Sequence, residues 1–184
     1  MHGPMSPGWL LVALCAVSGG YCLLRMRSAV EEQRRAAGGE ALMGFGMAVM
    51  AVPAAAVAPP RWAWLTYTLV FGVAAVRALW SARTSPHHLH HLVGALAMVY
   101  MAATMAASPG GGHGGAGPPL VTGVLLVYFT GYVLWAGVRL IPVPAAVGAR
   151  VVASRATGWG DRPELARACR LSMGIGMLAM LLTV

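Results

Sequence analysis

The chain has 184 residues, 58% of them hydrophobic and only 10% charged, and a mean hydropathy of +0.69. This composition excludes an ordinary soluble domain and describes a polytopic membrane protein. A net charge of +8 would point to nucleic acid in a soluble chain, but here the arginines stand where apolar segments end, so they read as topology signals and no nucleic-acid partner is expected.

Six stretches are each long enough for about 30 Å of hydrocarbon at about 1.5 Å per residue. They span approximately 8–26, 40–58, 62–81, 86–107, 119–141 and 162–184. The expectation is one integral membrane domain over 1–184, an all-α polytopic membrane helical bundle. The first span lacks a basic residue before Trp9 and is followed by Arg25 and Arg27, so it reads as a retained helix rather than a cleaved leader. The second opens at Glu40, and Pro53 is expected to kink it beside its methionines. Trp62, Trp64 and Trp80 of the third, with Tyr100 and Trp135 later, include interfacial anchors. Ser85-Pro86 supplies an N-cap and a first-turn proline for the fourth. The glycine-rich run from Pro109 to Pro118, carrying His113, is a flexible linker. Residues 142–160 form the longest connection, and Asp161-Arg-Pro-Glu164 reads as a capping box for the sixth span.

The chain contains no lysine, so orientation rests on arginine alone. Twelve of its thirteen arginines fall at alternate boundaries, leaving Arg61 for the other side. The positive-inside rule therefore predicts both termini outside, basic connections in the cytoplasm, and a multi-pass plasma-membrane protein with the lipid bilayer as its first partner. Cys15, Cys22 and Cys169 are too few and too scattered for a disulfide framework. Cys15 and Cys22, within one apolar stretch, read as inert, and Cys169 reads as a thiolate ligand at an inner helix end.

The chemistry concentrates in His87-His88-Leu89-His90-His91, four of the six histidines in five residues. Helical spacing places His87, His91, Gly94, Met98, Met101 and Met105 in one stripe, an imidazole and thioether series suited to a soft metal. At about 100° per residue the four imidazoles cover an arc of about 160°, so one helix cannot turn all of them toward one ion. His87 with His91 is the expected chelating pair, and His88 and His90 flank it. The second, fourth and sixth spans run in parallel under this topology. Taking Glu40, His87 and Cys169 as level puts Met43, His91 and Met173 together about 5–6 Å further in, and Met50, Met98 and Met180 together about 15–16 Å in. Met47 and Met177 complete the i, i+4 pairs Met43/Met47 and Met173/Met177. Glu40 would complete a site, orient a histidine, or serve as an acid at a helix N-terminus.

The favoured function is binding of a soft transition metal, copper first and zinc second, in transport or delivery. One alternative is a structural or assembly subunit, in a homo-oligomer or a membrane complex, whose methionines only pack. Another is a b-type haem carrier with His91 as axial ligand, for which a second histidine would have to come from another subunit. His87-x-x-His90-His91 matches one box of the membrane di-iron desaturases and hydroxylases, but the further boxes are missing. No phosphate loop, serine elbow or carboxylate pair occurs, so no catalytic residue is expected. The segment Glu40-Ala-Leu-Met-Gly-Phe-Gly-Met-Ala-Val-Met50, followed by Pro86-His-His-Leu-His-His-Leu-Val-Gly94, resembles a family of small actinobacterial membrane proteins known as a domain of unknown function. The resemblance covers most of the chain and implies a plasma-membrane location, with no activity or catalytic residue to carry over.

Overall fold

The computed structural model describes residues 5–27, 31–53, 56, 59–82, 88–107, 117–140 and 163–183. Among these residues there are six helices and no strand: α1 (Met5–Arg25), α2 (Glu31–Met50), α3 (Arg61–Ala82), α4 (His88–Ala107), α5 (Pro119–Val138) and α6 (Pro163–Leu181). Four stretches, Pro7–Arg25, Arg61–Ser81, Leu89–Ala107 and Pro119–Val138, are long and apolar enough to cross a membrane. The starts of α2 and α6 are more polar, with Glu31, Arg34, Arg35 and Glu40 in one and Glu164, Arg167 and Arg170 in the other. Ser85, Pro86, His87, His113, the 142–160 connection and Asp161 lie outside the described residues.

The largest departure from the sequence reading is α2, expected over 40–58 and found over Glu31–Met50. Hydropathy located the apolar part of the segment, but helix formation follows backbone propensity, and its polar lead-in is a good helix former. Glu31 pairs with both Arg34 and Arg35 across one turn. At the other end the last turn bonds are Ala51 N–H to Met47 C=O at 2.9 Å and Val52 N–H to Val49 C=O at 3.3 Å. Pro53 follows at once. Its ring disfavours helical backbone in the residue before it, so Pro53 terminates α2 instead of kinking it.

Neighbouring helices pack as pairs, α1 on α2, α3 on α4 and α5 on α6, and α6 also lies against α1 and α2. The α1 and α2 helices run antiparallel, with Gly8 beside Pro53, Gly19 beside Phe45 and Arg25 beside Glu40. In lipid, where apolar side chains gain little by leaving the solvent, close backbone approach and interhelical hydrogen bonds hold such pairs. Glycine provides the approach of α1 to α2: a Cβ on Gly44 would stand 2.8 Å from the Gly19 Cα. Ser18 and Ser172 share a hydrogen bond of 2.9 Å between α1 and α6. The α4–α5 seam is marked at one end by His90 stacked on Tyr132 and at the other by Tyr100 and Thr122, whose hydroxyls are 2.7 Å apart. Tyr100→Phe should cost about 0.5–1 kcal/mol in a reversible unfolding titration, the range for one interhelical hydrogen bond. A change below about 0.2 kcal/mol would remove this contact from the account.

The centre of the bundle is rich in sulfur. Met47 and Met50 of α2, Met98, Met101 and Met105 of α4, and Met173, Met177 and Met180 of α6 are all buried in one apolar cluster with Cys15, Cys22 and Phe129. The stripe from Gly94 to Met105 thus faces the interior, where its period of 3–4 residues places it. The outward faces of α3 and α5 carry exposed leucine, valine and tryptophan side chains.

Candidate functional site

Glu40 is 1% exposed and lies more than two turns inside α2. Its Oε2 accepts a hydrogen bond from Arg25 Nη1 at 2.5 Å, and its Oε1 accepts one from Arg170 Nε at 2.6 Å. The Cys22 thiol donates to Oε2 at 3.6 Å. One carboxylate therefore joins the end of α1, the middle of α2 and the start of α6. A buried carboxylate persists only when paired and hydrogen-bonded, and this one is. The cluster holds two positive charges against one negative. Arg25 is 3% exposed, and its Nε is buried without a hydrogen-bond partner. Cys22 is also in side-chain hydrogen-bond contact with Cys169.

Beside Glu40 lies a cavity of about 30 Å³, room for one water-sized occupant or an ion. Its walls come from four helices: Glu40 and Met43 of α2, His90, His91 and Gly94 of α4, Phe129 of α5, and Arg170, Met173, Gly174 and Met177 of α6. Gly94 is what admits Met43, because a Cβ there would stand 2.8 Å from the Met43 Cε. His90 is held by α5. Its ring stacks on Tyr132 at 3.7 Å between centroids and 12° between planes, and its Nδ1 shares a hydrogen bond of 3.2 Å with the Tyr128 hydroxyl. The His91 ring lies 6.2 Å from that of His90.

Met43, His91 and Met173, level in the depth comparison, line this one cavity together with Met177 and Glu40. His90, expected as a flanking imidazole, also faces inward. Helical angles on α4 alone could not foresee this, because the Tyr128 and Tyr132 rings that receive His90 belong to another helix. His88 opens α4, and its side chain lies outside the described positions, as does all of His87. Met47, Met50, Met98, Met101 and Met105 are buried in the core away from the cavity walls. Among the described residues, no group of three or more His, Cys, Asp and Glu side chains has metal-holding geometry. The soft donors at the cavity are instead two imidazoles and three thioethers.

Four sequence assignments change. Arg25 and Arg170, taken as topology signals, are the partners of Glu40. Glu40 is not a first-turn acid, since α2 begins at Glu31. Cys22 is not surrounded by apolar groups alone, because it reaches both Glu40 and Cys169. The signal for the first of these was present: an acid inside an apolar span needs a buried cation, and arginine is the only one this chain has besides histidine.

No curated protein and no solved structure matches the chain. A family match does extend over residues 32–184, a region that holds every wall of the cavity and leaves Arg25 and Cys22 of α1 outside it. The matched family is a domain of unknown function (DUF5134), and the chain belongs to it.

Proposed function

We propose that this protein binds a soft transition metal ion, copper(I) first and zinc second, at the cavity beside Glu40, and that it moves or delivers the ion at the plasma membrane. The observation that carries the reading is the convergence of His91 and His90 with the thioethers of Met43, Met173 and Met177 on one ion-sized space. Thioether sulfur is a good ligand for Cu(I) and a poor one for Mg²⁺ or Ca²⁺, and neutral imidazole completes a soft donor set. Arg170, the cation on the wall, shares the single Glu40 carboxylate with Arg25, and its 39% exposed side chain is also screened by its surroundings, which together reduce its repulsion of an incoming cation. All six helices cross the membrane in this reading, with both termini outside. The cavity then opens toward the cytoplasmic end, and the buried methionines of α2, α4 and α6 continue outward from it. The actinobacterial character of the relatives belongs to the same proposal.

The test is a competition titration of the purified protein in detergent against a chromophoric Cu(I) chelator, with elemental analysis. His91→Ala combined with Met43→Leu should weaken Cu(I) binding at least about tenfold, equivalent to about 1.4 kcal/mol. Absence of bound Cu(I) and Zn²⁺, or unchanged affinity in the double variant, would overturn the proposal. The assembly-subunit reading draws support from the Arg25–Glu40–Arg170 cluster, which occupies both carboxylate oxygens in tying helices together. It predicts a stoichiometric partner co-purifying without metal. A haem carrier predicts a Soret band and needs far more room than about 30 Å³ beside His91.

A further inference from the structure

The two oxygens of Glu40 are held on different terms. Oε2 pairs with Arg25, which is 3% exposed in the last turn of α1 and stays where the packed helices hold it. Oε1 pairs with Arg170 of α6 at 2.6 Å, and Arg170 is 39% exposed. Water screens a partly exposed ion pair, and an arginine stem is long enough to carry its charged head outward while its methylenes stay on apolar surface, so this second bond opens at small cost. The cavity lies on the exchangeable side. Glu40 and Arg170 are both in its walls, and Arg25 is not.

An ion in that cavity needs the same carboxylate. Neutral imidazole and thioether ligands leave a bound cation with its whole positive charge, and a charge in a low-dielectric interior persists only when it is paired. Glu40 is the single acid among the walls. We infer that Arg170 is a tethered competitor of the metal: its guanidinium holds Glu40 Oε1 in the metal-free protein, and the arriving ion displaces it toward water and takes Glu40 as counter-charge.

The exchange swaps one ion pair for another and leaves every covalent bond as it was. Glu40 keeps two positive partners throughout, Arg25 on Oε2 and either Arg170 or the ion at Oε1, so the buried acid is never stranded. Return of Arg170 favours release of the ion. Such a built-in inhibitor suits a protein that hands its metal on rather than one that stores it, and in this the inference rests on the function proposed above.

Removing a competitor has the opposite sign to removing a ligand. In an anaerobic, reducing titration of the purified full chain with Cu(I) against a chromophoric chelator, Arg170→Gln should bind about tenfold more tightly than wild type, the order of one charge-assisted hydrogen bond. Loss of a merely repulsive charge would also tighten binding, so the second readout is displacement itself: phenylglyoxal labelling of Arg170 in wild type, followed by peptide mass spectrometry. Saturating Cu(I) should speed that labelling at least about twofold, toward the rate of Arg35, which is 79% exposed on α2 and serves as the reference. A gain of less than about threefold in Arg170→Gln overturns the inference and leaves the cavity reading intact where wild type binds Cu(I). Labelling of Arg170 unchanged by bound Cu(I) also overturns it, because Arg170 then only repels the ion from where it stands. No Cu(I) bound by wild type overturns both readings.

Discussion

Glu40→Ala should destabilise the bundle by about 3–5 kcal/mol, the range for removing one partner from a buried ion pair. The loss has a specific origin. Without the carboxylate, Arg25 is left charged at a site 3% exposed, and the Cys22 thiol loses its acceptor. Arg170 is 39% exposed and can turn toward water, so less of the penalty falls on it. The expected order of destabilisation is therefore Glu40→Ala above Arg25→Ala above Arg170→Ala. The triple variant Glu40→Met/Arg25→Met/Arg170→Met should recover most of the loss, because a well-packed apolar replacement of a buried ionic group is often neutral or stabilising. Reversible unfolding in mixed detergent micelles measures the series. A Glu40→Ala change within about 0.5 kcal/mol of wild type, or a triple variant less stable than the single one, would show that the cluster is not the main tie among α1, α2 and α6.

Gly44→Ala should cost about 1–3 kcal/mol, the range for overpacking a tight contact. One methyl group is decisive here because the atom it meets, the Gly19 Cα at 2.8 Å, is backbone and cannot rotate away. The only relief is separation of α1 from α2, which would also strain the Arg25–Glu40 bond nearer the same end. Gly39→Ala supplies the control. That position is exposed and a Cβ there meets nothing within 4 Å, so the helix-propensity gain of up to about 1 kcal/mol should appear undiminished. Equal effects at the two glycines would mean that α1 and α2 are not held at this distance in the folded protein.

The two variants probe parts of the protein that differ in how far they can be read from sequence. Gly19 and Gly44 both stand out as small residues that allow close helix contact, but that they face each other does not follow from any local pattern. Glu40 is conspicuous, whereas its partners lie 15 and 130 residues away. The methionine stripe of α4 was legible because burial on a helix repeats every 3.6 residues, and period alone marks the inward face. The start of α2 was not legible from hydropathy, since polar Glu31–Arg35 forms helix by backbone propensity and local ion pairs without being apolar.

By itself the sequence determined that this is an all-helical chain with apolar spans and which methionines of α2, α4 and α6 face the interior, and it made Glu40 and the histidine run conspicuous. These follow from composition and from the period of a single helix. Only the tertiary structure decided that Arg25 and Arg170 close on Glu40, that His90 turns inward onto Tyr132, that Met43, His91 and Met173 share a cavity, and that Cys22 meets Cys169. Each of these depends on the register and rotation of one helix against another. That register is set by close glycine contacts and interhelical hydrogen bonds between residues far apart in the chain, a relation that no local periodicity encodes.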